Sequence, residues 1–123
     1  MKFVRDILAD GATRIIRGYD ATSITTNEGV LTSSALIAAD ALEPWPPHAV
    51  AELRAEHVAL LLAHDPEVII IGTGATFALP PPAALAAARA RRIGVEVMDT
   101  AAACRTYNVL VSEGRRVVAG LML

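Results

Sequence analysis

The sequence predicts a single α/β domain with a mainly parallel sheet at its centre. Two observations carry this. Residues 67–123 alternate strand-like and helix-like segments in the order β-α-β-α-β, the pattern of a layered domain with parallel crossovers. Within them Val68-Ile69-Ile70-Ile71 is short, β-branched and apolar throughout, as a strand covered on both faces must be. Size and composition agree. A chain of 123 residues, 54% apolar and 20% charged, has enough apolar surface for one core and too little length for two. Residues 1–123 are therefore read as one domain.

The elements follow in order. Residues 13–19 read as a strand. Residues 23–26 and 30–32 flank Asn27-Glu28-Gly29, a hairpin turn with a glycine available for positive φ. Residues 34–39 form another candidate strand. Glu43-Pro44-Trp45-Pro46-Pro47 then reads as a rigid connection, because proline cannot continue a central strand or a helix. Residues 49–63 predict a helix, with Val50, Leu53, Leu60 and Leu61 on one arc and Glu52 and Glu56 opposite. His64-Asp65-Pro66 stops it. After the strand at 68–71, a helix is expected over 81–91 and a strand over 93–98. A second helix, capped by Asp99 or Thr100, runs to Ser112, with Gly114 as its stop. The last strand covers 115–121.

Charge and cysteine content exclude several function classes. Net charge is −2, so a nucleic-acid binder held by phosphate contacts is not expected. The balance is uneven: residues 1–66 carry five basic and nine acidic side chains, residues 67–123 six basic and four acidic. All six basic residues of the second part are arginine, so an acidic partner would meet that part. A lone cysteine, Cys104, excludes an internal disulfide and a cysteine zinc site. Residues 1–10 carry Lys2, Arg5, Asp6 and Asp10 and lack the apolar core of a signal peptide, and no apolar run is long enough to span a membrane. A cytoplasmic protein is expected.

Three constellations could carry chemistry. Gly72-Thr73-Gly74 after a buried strand invites a dinucleotide-binding reading, but the third glycine of that fingerprint would fall at Phe77 and the helix begins late, behind Pro80-Pro81-Pro82. A tight turn explains the glycines better, and no cofactor is expected. In a milder reading, residues 72–79 and Asp99-Thr100 meet at the carboxyl edge of the sheet and hold a small anion near a helix N-terminus. The helix after Asp99 turns Ala103, Cys104, Tyr107, Leu110 and Val111 toward the sheet. Arg105, Asn108 and Ser112 form a polar stripe on the other side, either solvated or suited to a partner.

Cys104 then reads as a small buried hydrophobe, and no histidine in its half of the chain could activate it. His48, His57 and His64 flank or belong to the first helix. The last two lie about 10.5 Å apart along a helix axis, too far to share a metal, so no metal site is expected. His57 reads as a boundary histidine. Glu96 and Asp99 near one strand end are too ordinary a pair to imply acid–base catalysis. The candidate binding residues are therefore Gly72, Thr73, Gly74, Arg105, Asn108 and Ser112, with no catalytic residue.

The runs at 71–74, 79–81, 94–100, 102–110 and 112–117 together resemble a small family of uncharacterised domains. That family includes the third assembly factor of mitochondrial respiratory complex I and a human cytoplasmic member linked to fat-cell differentiation. The resemblance covers residues 67–120 best, with Tyr19, residues 34–39 and Trp45 standing where the family keeps its hairpin, a strand and an aromatic. It implies a three-layer α/β domain: a central mixed, mostly parallel sheet flanked by helices, an N-terminal β-hairpin layer, and a last strand antiparallel to its neighbours. It implies no activity, substrate, cofactor or catalytic set. A non-enzymatic protein-binding or assembly-factor-like module is the expected function. The second reading is a small-molecule or anion-binding protein, weakly enzymatic at most, with its site at the carboxyl edge.

Overall fold

A computed structural model describes residues 13–123; the charged segment 1–10 discussed above lies outside them. The chain folds as β1 (Ile16–Tyr19), β2 (Ile24–Thr26), β3 (Gly29–Leu31), β4 (Ala35–Ala38), β5 (Ala41–Pro44), α1 (Ala55–Leu62), β6 (Val68–Gly72), α2 (Pro82–Ala90), β7 (Gly94–Met98), α3 (Thr100–Ser112) and β8 (Val117–Leu121). Strands β1-β2-β3 make a small antiparallel sheet, and the other five form a mixed sheet in the order β5-β4-β8-β6-β7. Four of these five strands run the same way and β4 runs against them.

The fold is a three-layer α/β domain. One core, beneath α1 and α2, joins Val58, Leu61, Ala84, Leu85 and Ala88 to Ile69 and Ile71 of β6. The other, beneath α3 and the small sheet, joins Ile16, Ile24, Cys104 and Tyr107 to Val68 and Ile70. Successive β6 side chains point to opposite faces, and both faces are covered, so the strand has no polar position.

The structure departs from the expectations at four points. The last strand, β8, is antiparallel to β4 but parallel to β6, so it is not antiparallel to both neighbours. It is the seam between the hairpin β4–β5 and the parallel unit. The segment before Trp45 contains a strand, β5; Pro44 fits there because β5 is at the sheet edge, where a missing N–H is tolerated.

The helix expected over 49–63 is broken. A 3-10 turn at Val50–Glu52 is followed by extended Leu53 and Arg54 before α1 begins. His57 Nδ1 accepts from the Arg54 N–H at 3.0 Å, so the histidine caps a new helix start. The hairpin turn has two residues, Asn27 and Glu28, with Gly29 already in β3 at φ 140°.

Trp45 shows how the long-range packing works. It is buried beneath α1, and its Nε1–H donates to the His57 carbonyl at 3.0 Å. Its ring lies against the bare backbone of Gly120 in β8.

Candidate functional site

The parallel strands end side by side, with Gly72 of β6 opposite Met98 of β7 and Leu121 of β8. Thr100, at the start of α3, ties these ends together. Its hydroxyl donates to the Met122 carbonyl at 2.7 Å and accepts from the Gly74 N–H at 2.8 Å. Its own N–H donates to the Gly74 carbonyl at 2.9 Å. Gly72 lets α3 approach: a Cβ there would stand 3.0 Å from Thr100 Oγ1 and 3.1 Å from both Ala103 Cβ and Leu121 Cδ2. It performs the close helix–strand packing that the dinucleotide fingerprint assigns to its third glycine.

Gly74 sits at φ +100° with open space where a Cβ would be. Gly74→Ala is therefore expected to cost about 1–2 kcal/mol through backbone strain and not through a clash. Thermal unfolding checks this; an unchanged midpoint would show that the turn relaxes freely.

Beside these strand ends lies a cleft of about 620 Å³. Thr73, Gly74 and Ala75 line it from the β6 end, Thr100 and Ala101 from α3, and Met122 and Leu123 from the end of β8. Five lining residues from the first half of the chain were not anticipated: Tyr19, Asp20, Ala21, His48 and Ala49. Asp20 opens an Asx-type turn. Its Oδ1 accepts from the N–H groups of Thr22 (2.9 Å) and Ser23 (2.8 Å) and from both their hydroxyls. These hydrogen bonds, that of Thr22 foremost, hold its carboxyl below the ordinary aspartate range. The sequence Asp20-Ala21-Thr22-Ser23 marks such a turn, but nothing local says that the turn faces the carboxyl edge.

The edge offers an anion little. The Ala102 N–H donates to Asp99 Oδ1 at 2.8 Å, which makes Asp99 the cap of α3, and the Gly74 N–H is taken by Thr100. No lysine or arginine is among the described residues that line the cleft.

The polar stripe of α3 divides. Asn108 clamps the backbone of Ile16 in β1: its Oδ1 accepts from the Ile16 N–H at 2.9 Å and its Nδ2 donates to the Ile16 carbonyl at 2.6 Å. Arg105 is exposed and its Nη1 donates to the Tyr19 hydroxyl. The Ser112 hydroxyl donates within its own helix, to the Val109 carbonyl at 2.7 Å. The side of α3 read as either solvated or suited to a partner is thus partly covered by the small sheet.

Cys104 is buried in the core beneath α3 and the small sheet. Burial pushes its thiol up to about 11, against the pull of Arg105. It stays a thiol at neutral pH, so a bulky disulfide reagent should react slowly at pH 8 with native protein and fast in denaturant. Cys104→Ala should cost about 1 kcal/mol. Rapid labelling of the native chain would overturn both expectations.

The histidines are dispersed: His48 at the cleft, His57 capping α1, and His64 with its Nε2 3.6 Å from Glu43. Glu96 is exposed on edge strand β7.

One loop presents apolar side chains outward. Between β6 and α2 the Thr73 hydroxyl donates to the Thr76 carbonyl at 2.7 Å and accepts from the Ala78 N–H at 3.2 Å. The loop closed in this way leaves Phe77 55% and Leu79 76% exposed.

The chain is 38% identical over 68 residues to the 13 kDa major membrane protein of Francisella tularensis, which covers 55% of each chain. It is 29% identical over 109 residues to NADH dehydrogenase [ubiquinone] 1 alpha subcomplex assembly factor 3 of Xenopus tropicalis, covering 87% of this chain and 60% of that protein. The chain therefore spans little more than half the length of these two curated relatives. Among solved structures, a Bordetella parapertussis protein superposes with a TM-score of 0.86 at 34% identity, covering 90% of this chain and 96% of the other. No helix among the described residues is long and apolar enough to cross a membrane. Residues 16–122 match the model of a family described as protein of unknown function (DUF498/DUF598), and it is to this family that the chain belongs.

Proposed function

We propose that this chain is a non-enzymatic protein-binding module of the cytoplasm that helps to assemble a larger complex, and that its client is a respiratory NADH dehydrogenase. One observation carries the reading: the loop after β6 is closed by Thr73 yet holds Phe77 and Leu79 in solvent. Leaving two large apolar side chains exposed on an ordered loop gains nothing for folding, whereas a partner that covers them recovers their transfer free energy. The name of the Xenopus relative supports the choice of client.

Arg105 adds a cation on another surface. Its hydrogen bond to Tyr19 is exposed and worth little to stability, so it is free to exchange for a carboxylate of the partner.

The test is complementation. In the organism that encodes the chain, deletion should reduce assembled NADH dehydrogenase on native gels, and the wild-type gene should restore it. A Phe77→Ser/Leu79→Ser chain should fold with an unchanged melting temperature and fail to restore assembly. Normal assembly in the deletion strain, or full rescue by the double variant, would overturn the reading.

A further inference from the structure

The cleft at the carboxyl edge shares Thr73 with the loop just described but is otherwise unused by the role just proposed, and three features of it point to a ligand. Its position is the first. The connection leaving β6 leads to α2 on one face of the sheet, and the connection leaving β7 leads to α3 on the other. Where neighbouring connections part in this way, a crevice opens outside the carboxyl ends of the strands, and open α/β sheets bind their ligands there. Size is the second. About 620 Å³ lies within the range of small-molecule sites.

The third is the chemistry of the wall. Small residues, Gly74, Ala75 and Ala101, line it beside the apolar Met122 and Leu123. The two threonine hydroxyls at the cleft donate their protons inward to the Thr76 and Met122 carbonyls. Among the described lining residues the side-chain carboxylate is Asp20, and His48 lines the same cleft. The four hydrogen bonds of Asp20 among the described residues all end on Oδ1, which fixes the carboxylate in orientation and leaves Oδ2 as an acceptor toward the described residues. Tyr19 stands next to it. Its hydroxyl is engaged by Arg105, which is not among the described lining residues.

We propose that this cleft is a binding site for a small organic amine with an apolar body: the body rests against Gly74, Ala75 and Ala101 and the ammonium group donates to Asp20 Oδ2 beside Tyr19. A fixed carboxylate gives a cation a charge-assisted hydrogen bond, and an aromatic neighbour adds attraction for the same charge. A carboxylate or phosphate ligand of equal size meets repulsion from Asp20, and the Gly74 and Ala102 N–H groups are already donated to Thr100 and Asp99.

A matched set of probes tests this on the full chain: 2-phenylethylamine, 2-phenylethanol and 3-phenylpropionate, each titrated to millimolar concentration and followed by amide chemical shifts. The amine should bind saturably, shifting Asp20–Ala21, Thr73–Ala75 and Thr100–Ala101 together. The alcohol should bind about tenfold more weakly and the carboxylate not measurably. Asp20→Asn keeps a side-chain oxygen for the turn and should bring the amine down to the level of the alcohol. Ala101→Leu fills part of the cleft and should abolish binding of both while the remaining amide spectrum stays native.

Tighter binding of the carboxylate, amine binding that survives both substitutions, shifts confined to Phe77 and Leu79, or no saturable binding by any probe would each overturn the proposal. A lysine-bearing peptide that binds here where the free amine does not would assign the cleft to a protein partner and overturn it equally.

Discussion

Gly120→Ala should destabilise the chain by roughly 3 kcal/mol, one of the largest losses a single methyl group can cause here. A Cβ at Gly120 would stand 2.6 to 2.8 Å from three atoms of the Trp45 six-membered ring. No real contact is that short, so the ring or the strand must move. Neither moves cheaply. Gly120 lies in β8, bonded on one side to β4 and on the other to β6. Trp45 is fully buried, and tilting it breaks the hydrogen bond from its indole N–H to the His57 carbonyl. That carbonyl belongs to the first turn of α1, so the damage spreads to the helix start.

The melting temperature should fall by something on the order of 10 °C, and the Trp45 emission should shift to the red as water reaches the ring. Pairing Gly120→Ala with Trp45→Leu separates overpacking from a general intolerance of β8. Trp45→Leu alone leaves a cavity and costs a few kcal/mol. In the double variant the new methyl group occupies part of that space, so the two losses should add to less than their sum. Strict additivity would show that the ring and the glycine do not oppose each other.

This pair also shows what sequence patterning reaches and what it misses. The parallel unit was legible because its signals are local: an apolar run for β6, proline at the start of α2, Asp99 as a cap, and Gly114 at positive φ after α3. Each depends on residues within a turn or two of one another. Trp45 and Gly120 are far apart in the chain, and neither flank hints at the other. The break before α1 was hidden for a related reason. Val50, Leu53 and the leucines of α1 keep a helical spacing across the break, while the contact of His57 with the Arg54 N–H that starts a new helix is a property of one side-chain rotamer.

The cleft was half legible: Thr73 and Gly74 follow from a buried strand that ends in glycine, but Tyr19 and Asp20 arrive only once the small sheet has docked, and His48 arrives with the connection after β5.

Asn108→Ala should release that small sheet, and it should do so locally. The amide of Asn108 does for Ile16 what a neighbouring strand would do, accepting from its N–H and donating to its carbonyl across 92 residues of sequence. Truncation leaves both backbone groups beside an apolar surface without partners, at a cost of roughly 2–3 kcal/mol. Another contact of α3 reaches the same layer: the Tyr107 hydroxyl donates to the Arg14 carbonyl at 2.8 Å. The sheet should therefore loosen without departing. Amide hydrogen exchange in β1 and β2 should accelerate by one to two orders of magnitude while β6 and β8 keep their protection.

Ser112→Ala, on the same side of the helix, removes only a bond internal to α3 and should change nothing. Asn108→Asp adds a pH signature. The ionised carboxylate still accepts from the Ile16 N–H, but it cannot donate, and it faces the Ile16 carbonyl oxygen. The protonated acid can donate, so the folded state holds the proton more tightly than the unfolded chain and the pKa of the introduced carboxyl is raised in the fold. The folded protein then binds more protons than the unfolded one between the two pKa values. Its stability rises as pH falls through the raised value and is lost as pH climbs above it. Exchange in the small sheet of Asn108→Asp, corrected for intrinsic rates, should therefore slow on acidification while that of Asn108→Ala stays fast. If both variants behave alike at every pH, the clamp is not what holds the layer. Tyr19 and Asp20 would then owe their place at the cleft to Ile16 and Ile24, packed into the core beneath them.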